Sequence, residues 1–427
     1  MPSPVSLIRH KQGAMNVLKL GDNQSLADGL LLAEQTDKIL DMNGMTRWIS
    51  EEVVVGSGMK LCNGFITYQT ANGVVKLQGS HPVLEDIVID SRSLNDFNRL
   101  QRGIVELYAT VGAVIQEVRI KGRNNRKAIF CKTKASSTKI LNVHVSGGLG
   151  WGLLFNDAVS EQFPEYRGDF TGEIGQGLLV DGFTFSNLPG TDDGSSYYGG
   201  DALEINCPDH GFDDITVRNV IIENTRSNSG SNGIGLGFAR CTNVIVEDVQ
   251  VSNTAHDGIH FEKGGTHLTT RFHTLNCNRA LVTTHTSDSH FVGGTCTKSG
   301  RWITCYNDRD FGTMTGARFE DITFDGCTHN GITISNARHV TLKDLTCLNY
   351  AGDLKSILTF YNEKDKGPVT DSLLDTIHFD QGTSELNPQY LIRMVMGSTR
   401  NTLRNITCSG KDYSLQMLLD PGNVVHP

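Results

Sequence analysis

Residues Val249–Asn276 read VQVSNTAHDGIHFEKGGTHLTTRFHTLN, and this stretch contains the pattern that decides the fold. An apolar-x-apolar run begins at Val249, and Asn253 follows four residues later. A second alternating run, Asp257–Phe261, comes next, and the pattern starts again at Phe272, 23 residues after Val249. Alternate side chains of a strand point to opposite faces, and asparagine accepts the left-handed backbone of a sharp turn. The stretch therefore predicts short strands, separated by turns, that repeat.

The same pattern recurs along most of the chain. Apolar-x-apolar runs begin at thirteen positions, which are Phe65, Ile87, Val118, Val143, Phe183, Val220, Val249, Phe272, Thr295, Ile322, Leu345, Ile377 and Ile406. Five runs are followed at the fourth position by asparagine, at Asn187, Asn224, Asn253, Asn276 and Asn349. Repeats of this length are typical of solenoids. We predict an all-β chain, a parallel β-solenoid of about thirteen rungs, with an interior column formed by Phe185, Ile222, Val251, Phe324, Cys347, Phe379 and Cys408.

Composition agrees with a turn-rich fold and excludes several classes of partner. The chain of 427 residues has 46 glycines but 10 prolines, and its net charge is -9. An acidic surface disfavours nucleic acid and anionic membranes as partners. No apolar stretch is long enough to span a bilayer, and the first 20 residues have no apolar segment typical of a Sec signal peptide. The ten cysteines form no CxxC pair, so we expect reduced, structural thiols.

One segment has helical rather than strand periodicity. Residues 24–35, QSLADGLLLAEQ, place apolar side chains on one helical face. Solenoids need a cover over their open ends. We therefore predict a short capping helix within an N-terminal segment, 1–59, followed by the β-helix over 60–427.

Together, the helix at 25–35, the strand entry Ile39–Ser50 and the asparagine-turn rungs over about 60–410 resemble a known family. They are similar to the right-handed parallel β-helix proteins of the pectate-lyase-like superfamily, and most of all to bacteriophage tailspike depolymerases. The resemblance implies a groove that binds bacterial capsular polysaccharide, exopolysaccharide or O-antigen and cleaves it by hydrolysis or β-elimination. It also implies a homotrimer on the virion tail that acts outside the cell.

Acidic residues recur on one face of the second strands. We aligned the predicted inward pairs Leu203/Ile205, Ile234/Leu236, Ile259/Phe261 and Leu281/Thr283. The outward residues are then Glu204 and Asn206, Gly235 and Gly237, and His260 and Glu262, with Val282 and Thr284 on the next rung. Rungs lie about 4.8 Å apart, so Glu204 and Glu262 are about 10 Å apart along the axis. The two glycines would leave a floor for a sugar between them.

This spacing suits inverting glycoside hydrolysis, which needs carboxyl groups about 6.5–9.5 Å apart, better than retention, which needs about 5 Å. Asp201 and Asp257 form a second candidate pair, and His260 could act as a base or shift the pKa of a neighbouring acid. The alternative is that Asp201 and Asp257 are turn residues and that Glu204, Glu262 and His260 are ordinary exposed strand residues.

Long insertions between rungs predict one wall of the groove. They span 156–177 and 188–200, and the second contains Tyr197 and Tyr198. Sugar rings stack on aromatic side chains, so Tyr197, Tyr198 and Trp151 are candidate substrate contacts, together with Asn206, Gly235, Gly237 and Arg279.

Three functions are consistent with these residues. Hydrolysis by the carboxylates is the favoured one, and a lyase that uses His260, Arg279 and Arg301 is the second. The third is a glycan-binding fibre without catalysis. No EF-hand spacing, His/Cys cluster or nucleotide-binding loop is present, so we expect no metal and no cofactor.

Overall fold

The computed structural model describes residues 16–94, 102–131, 135–156, 175–187, 200–207, 211–225, 233–307, 312–350, 356–360, 367–382, 388–409 and 417–426. Within these ranges there is one α-helix, and nearly all other regular structure is strand. No helix in the described ranges is long and apolar enough to cross a membrane.

The strands are short and follow one another closely. The first seventeen are β1 (Val17–Lys19), β2 (Ile39–Asp41), β3 (Thr46–Ile49), β4 (Glu52–Val55), β5 (Lys60–Tyr68), β6 (Val74–Ser80), β7 (Val83–Asp90), β8 (Gly103–Val111), β9 (Val114–Gln116), β10 (Arg119–Cys131), β11 (Ala135–Leu141), β12 (His144–Asn156), β13 (Gly175–Asp181), β14 (Thr184–Ser186), β15 (Leu203–Asn206), β16 (Phe212–Glu223) and β17 (Leu236–Ala239). The remaining strands are β18 (Cys241–Ser252), β19 (Asp257–Glu262), β20 (Gly265–Leu275), β21 (Arg279–Thr284), β22 (Ser287–Ser299), β23 (Arg301–Tyr306), β24 (Met314–Thr315), β25 (Arg318–Cys327), β26 (Ile332–Ser335), β27 (Ala337–Arg338), β28 (Thr341–Tyr350), β29 (Ser356–Phe360), β30 (Val369–Thr370), β31 (Leu373–Asp380), β32 (Tyr390–Met394), β33 (Thr402–Ser409), β34 (Met417–Leu419) and β35 (Val424–Val425).

The strands pair in parallel, each with its equivalent in the next turn of a coil. Strand β16 pairs with β18, β18 with β20, and β20 with β22, while β15, β17 and β19 pair in a second series. The chain is therefore a right-handed parallel β-helix, as predicted. Its core is the interior of the coil, because the inward side chain of each rung stacks on that of the next.

The predicted interior column is present. Residues Phe185, Ile222 and Val251 occupy consecutive rungs in register, and Phe324, Cys347, Phe379 and Cys408 continue the same column further along. Two of the thirteen predicted starting positions are wrong by one residue. Phe65 and Thr295 are exposed, and the buried residues are their neighbours Ile66 and Cys296. In both rungs a glycine precedes the exposed residue at the position where an apolar side chain normally stands.

Asparagines form a ladder at one corner of the coil. Asn224, Asn253 and Asn276 have φ angles of 59°, 54° and 53°. The Nδ2 of Asn253 donates to Oδ1 of Asn224 at 3.1 Å, and the Nδ2 of Asn276 donates to Oδ1 of Asn253 at 2.9 Å. Asn349 is left-handed too, whereas Asn187 is buried and its Oδ1 accepts from the Leu149 amide at 3.3 Å.

The predicted helix is present as α1 (Leu26–Gln35). It begins where the Ser25 hydroxyl accepts a hydrogen bond from the Asp28 amide at 3.1 Å, which satisfies one of the free amides of the first turn. Leu26, Leu30 and Ala33 are buried against the first rungs, so the helix caps the coil. The division into 1–59 and 60–427 stays a prediction.

Candidate functional site

The candidate site lies on the outer face of the sheet that contains β15, β17, β19, β21 and β23. Leu203, Leu236 and Ile259 point inward and are buried in consecutive rungs. Between them, the outward residues Glu204, Gly237 and His260 are in register. The alternation of the strands therefore puts Glu204 and His260 on one face, as the sequence predicted.

The predicted register of the middle rung is wrong by two residues. Leu203 pairs with Leu236 rather than with Ile234, so Gly237 lies beside Glu204, and the pairs extend to Asn206 with Ala239. Gly235 is buried and directly precedes β17. A Cβ atom at Gly235 would lie 2.4 Å from Cγ1 of Val251 and 2.6 Å from the Gly258 carbonyl oxygen. Gly235 therefore allows close packing inside the coil and is not part of the floor.

A cleft of about 470 Å³ opens on this face. Seven predicted site residues line it, which are Asp201, Glu204, Asn206, Gly237, His260, Glu262 and Arg279. Five others complete the lining, namely Ile234, Phe238, Ala239, His256 and Tyr306. Asp257 and Trp151 lie behind the lining and contact it. Tyr197 and Tyr198, with most of the two predicted wall insertions, lie outside the described residues.

Asp201 and Glu204 form a carboxyl pair at the cleft. Asp201 is 4 % exposed, and its Oδ1 accepts hydrogen bonds from the amides of Gly233 and Ile234, both at 2.8 Å. Glu204 accepts from the Asn206 side chain at 3.0 Å and from the Trp151 indole at 3.3 Å. The two side chains meet beside Gly237, where a Cβ atom would lie 3.8 Å from Cγ of Glu204 and 3.9 Å from Oδ2 of Asp201.

The electrostatic environment of Asp201 and Glu204 favours one proton shared between the two carboxyl groups. Burial raises the pKa of Asp201 well above its usual value, and the nearby charge of Glu204 raises it further. Burial also raises the pKa of Glu204, although the hydrogen bonds from Asn206 and Trp151 act in the opposite direction. Two carboxyl groups this close do not both ionise readily. The pair therefore keeps one proton at a pH where an isolated carboxyl group has lost its own.

The environment of Asp257, unlike that of Asp201 and Glu204, favours the ionised carboxylate. It has no exposed surface, and its two oxygens accept from Nε and Nη2 of Arg279 at 2.5 and 2.9 Å. Nδ1 of His256 and Nδ1 of His260 lie 3.2 and 3.0 Å from Oδ2 of Asp257. Burial opposes ionisation, but the hydrogen bonds from His256 and His260 and the nearby positive charges hold the pKa of Asp257 far below its usual range.

This arrangement orients His260 and Arg279 towards the cleft. Nδ1 of His260 faces Asp257, and its Nε2 lies 3.2 Å from the hydroxyl of the buried Thr284, so both ring nitrogens are held in place. Glu262, two residues further along β19, is more exposed, and it forms an ion pair with Lys263 at 2.9 Å. The cleft therefore combines a buried carboxyl pair at β15 with an oriented imidazole and a half-exposed carboxylate two strands away.

Sequence reasoning missed two residues of this site. His256 was not singled out, although it directly precedes Asp257, and a short-range pattern of histidine and aspartate could have indicated it. Lys127 is 3 % exposed and acts on Glu204 electrostatically. It lies 77 positions before Glu204 in the chain, and no local pattern marks it. No cluster of three or more histidine, cysteine, aspartate or glutamate side chains suitable for a metal ion occurs in the described ranges.

Comparison with known proteins adds information at the level of the fold. No protein-family model matches the chain, and no curated protein matches it. Among solved structures, the chain is similar to the Dettilon tailspike protein, with a TM-score of 0.50 and 11 % identity over 92 % of this chain and 68 % of that one. The shared fold is the parallel β-helix.

Two catalytic domains also match. One belongs to an alpha-1,3-glucanase in complex with nigerose, with a TM-score of 0.49 and 10 % identity over 98 % of this chain and 70 % of that one. The other is the Agl-KA catalytic domain, with a TM-score of 0.49 and 15 % identity over 99 % of this chain and 69 % of that one. At these identities, the similarity to solved structures is one of fold alone.

Proposed function

We propose that the protein is a tailspike-like depolymerase that binds a bacterial surface polysaccharide in the cleft and hydrolyses its glycosidic bonds. The observation that carries this proposal is the buried carboxyl pair of Asp201 and Glu204, which lines the cleft and whose pKa values burial raises. A carboxyl group with a raised pKa is the general acid that glycoside hydrolysis requires. The substrate class is the one that the resemblance of the sequence to tailspike depolymerases implies, and a phage tailspike protein shares the fold.

In this mechanism the carboxyl pair is the acid and Glu262 is the base. Glu204 protonates the leaving oxygen, and Asp201 passes its proton to Glu204. Glu262, which pairs with Lys263, removes a proton from the attacking water. Glu204 and Glu262 lie on β15 and β19, two strands apart, or about 10 Å along the axis. That separation leaves room for a water molecule and favours inversion.

Gly237 and Asp257 have supporting roles in this proposal. Gly237 lies on the strand between the two carboxylates and leaves the floor open for a sugar ring. Asp257 is buried and does not contact the sugar. It instead fixes His260 and Arg279, which line the cleft and donate hydrogen bonds to sugar hydroxyls. Trp151, which the sequence suggested as a sugar platform, orients Glu204 through its indole N–H.

A lyase is the second candidate, and the pairing of Asp257 with His260 favours it. A histidine whose Nδ1 faces a buried carboxylate is a suitable base for removing the proton next to a uronic acid carboxylate. Arg279 lines the same cleft, and Arg301 follows it in register on the next rung. The hydrolase ranks first because the cleft also contains three acidic side chains, Asp201, Glu204 and Glu262, which disfavour a polyuronate.

The test is incubation with a panel of purified capsular and O-antigen polysaccharides. New reducing ends and the ultraviolet absorbance of an unsaturated uronate are followed together. Reducing ends without the absorbance support hydrolysis, whereas both signals together indicate the lyase. Binding of a polysaccharide without either signal would contradict catalysis and would indicate a glycan-binding fibre.

The tailspike similarity also supports a biological setting. We propose that the protein acts outside the cell as part of a virion tail and assembles as a homotrimer. Light scattering coupled to size-exclusion chromatography measures the mass directly, and a monomer at the concentrations used for the activity assay would contradict the trimer.

A further inference from the structure

Lys127 is a charged residue placed almost entirely inside the protein. Its side chain lies on β10, is 3 % exposed, and has its Nζ 4.8 Å from the centroid of the Phe130 ring and 4.7 Å from that of the Trp151 ring. Burying an ammonium group is costly unless other groups compensate its charge. Two aromatic faces supply part of that compensation through cation–π attraction. The rings also fix the position of the ammonium group.

The Trp151 ring connects Lys127 to Glu204. Lys127 and Trp151 are partners in the pairing of β10 with β12, and Trp151 donates its indole N–H to Oε2 of Glu204 on the next strand, β15. The positive charge of Lys127 attracts negative charge onto Glu204. Three consecutive rungs therefore carry a buried cation, an aromatic hydrogen-bond donor and a carboxylate acceptor.

We propose that Lys127 is a positioning residue of the carboxyl pair, whose buried ammonium holds negative charge on Glu204 and compensates the second charge that appears when the pair releases its proton. The consequence for catalysis rests on the proposed hydrolytic function, since the proton goes to the leaving oxygen of the sugar. The effect on the pair itself does not depend on turnover. Lys127 therefore acts through Glu204 and does not contact substrate.

The charges around Glu204 agree with this role. Asp201 lies beside Glu204, the adjacent strand β17 carries no charged residue, and Asp257 adds a negative charge that acts on Asp201. His260 and Glu262 line the cleft two strands away. The positive charge of Lys127 acts on Glu204 and lowers its pKa. Its removal should leave the pair harder to deprotonate.

The indole of Trp151 offers a direct measurement. The chain has three tryptophans, of which Trp48 is 58 % exposed and Trp302 is buried with its Nε1 donating to the Gly326 carbonyl. The indole 15N–1H resonance of Trp151, assigned with Trp151→Phe, should titrate with the charge on Glu204. In Lys127→Met we expect the inflection to move to higher pH by about one pH unit, because an attractive charge has been removed.

Two variants complete the experiment. Lys127→Arg keeps the charge, so it should keep the inflection close to that of the native protein. Lys139→Met removes an exposed lysine from β11 and should not move it. An unchanged inflection in folded Lys127→Met, or an equal shift in Lys127→Arg, would overturn the proposal. If Lys127→Met does not fold, Lys127→Gln, which also removes the charge, takes its place and should give the same shift.

Turnover is measured separately on the polysaccharide that the native protein cleaves. We expect Lys127→Met to lower kcat about tenfold with little change in KM, and to move the basic limb of the kcat profile upward in pH. If the native protein cleaves nothing while the Trp151 resonance still shifts in Lys127→Met, the proposed function fails and the role of Lys127 stands.

Discussion

The carboxyl groups of Asp201 and Glu204, three residues apart in sequence, meet beside Gly237 at the wall of the cleft. Asp201 is buried and anchored by two backbone amides, whereas Glu204 extends from β15 towards the cleft. In the proposed mechanism, the two side chains have different roles. Asp201 holds the proton in a low-dielectric environment, and Glu204 presents it to the substrate.

Glu204→Gln should abolish most turnover and leave binding intact. Glutamine has nearly the same shape as glutamate, but it cannot transfer the proton. We expect kcat to fall by about 10²–10⁴-fold, measured by reducing ends, with unchanged polysaccharide binding. Glu223→Gln, at an exposed position on β16, is the matched control and should be fully active. Native turnover in Glu204→Gln would exclude it as the acid.

Gly237→Val should fill the cleft without unfolding the protein. A Cβ atom at Gly237 meets its nearest neighbours at ordinary distances, 3.6 Å from Ile234 and 3.8 Å from Glu204. We expect at least a tenfold loss of binding and an unchanged Tm. Gly235→Ala is the contrasting variant. Its Cβ would clash inside the coil, so we expect a loss of about 1–3 kcal/mol in the free energy of unfolding.

The two glycine variants together test the register. If Gly235→Ala were to block binding at full stability and Gly237→Val had no effect on binding, the observed pairing of Glu204 with Gly237 would not describe the site. Thermal denaturation and binding isotherms on the same preparations measure both quantities.

Asp257→Asn should destabilise the protein at neutral pH. The substitution leaves Arg279 and His260 without their buried anion, at an expected cost of about 3–5 kcal/mol. The pKa of Asp257 is lowered by folding, so its contribution is present above the unfolded value of about 3.9 and is lost as pH falls below it. Urea denaturation at neutral and acidic pH should show the difference from native shrinking with acid.

The control for that variant is an exposed ion pair. Asp248 accepts hydrogen bonds from Arg271 at 2.7 Å on the surface of the coil. Asp248→Asn should change the free energy of unfolding little, because solvent screens the pair. Equal effects of the two substitutions would contradict the buried role of Asp257.

His267 should make the protein sensitive to mild acid. It lies inside the coil, stacked on Phe261 with 4.3 Å between ring centroids, and burial lowers the pKa of His267 to about 4. The unfolded chain takes up this proton near pH 6.5 and the folded chain does not. Stability should therefore fall as pH drops from about 6.5 to 4, by at most about 3 kcal/mol.

His267→Gln should remove that part of the acid dependence, whatever it does to stability at neutral pH. His329→Gln, at an exposed position, should retain it. The measurement is the free energy of unfolding at several pH values. The same slope in His267→Gln and the native protein would show that another group causes the acid dependence.

The sequence could predict much of the site because strand alternation is a local property. Glu204, His260 and Glu262 each follow an inward apolar residue, which places them on one outer face once the strands are parallel. The register between rungs depends on residues outside the paired strands. The length of the segment between β16 and β17 sets how far the chain advances before Leu236, and both Ile234 and Leu236 are apolar, so alternation alone did not distinguish them.

What the amino-acid sequence determined by itself is the coil: its period, its inward column, its asparagine turns and its capping helix. These follow from short-range patterns, since each rung needs an apolar face and a sharp turn wherever it lies in the stack. Only the tertiary structure decided the protonation of the site. Stacking brings Lys127, Trp151 and Glu204 onto consecutive rungs, and burial decides which carboxyl groups stay charged. Stacking and burial both depend on neighbours that are far away in sequence, and a local sequence pattern does not identify such neighbours.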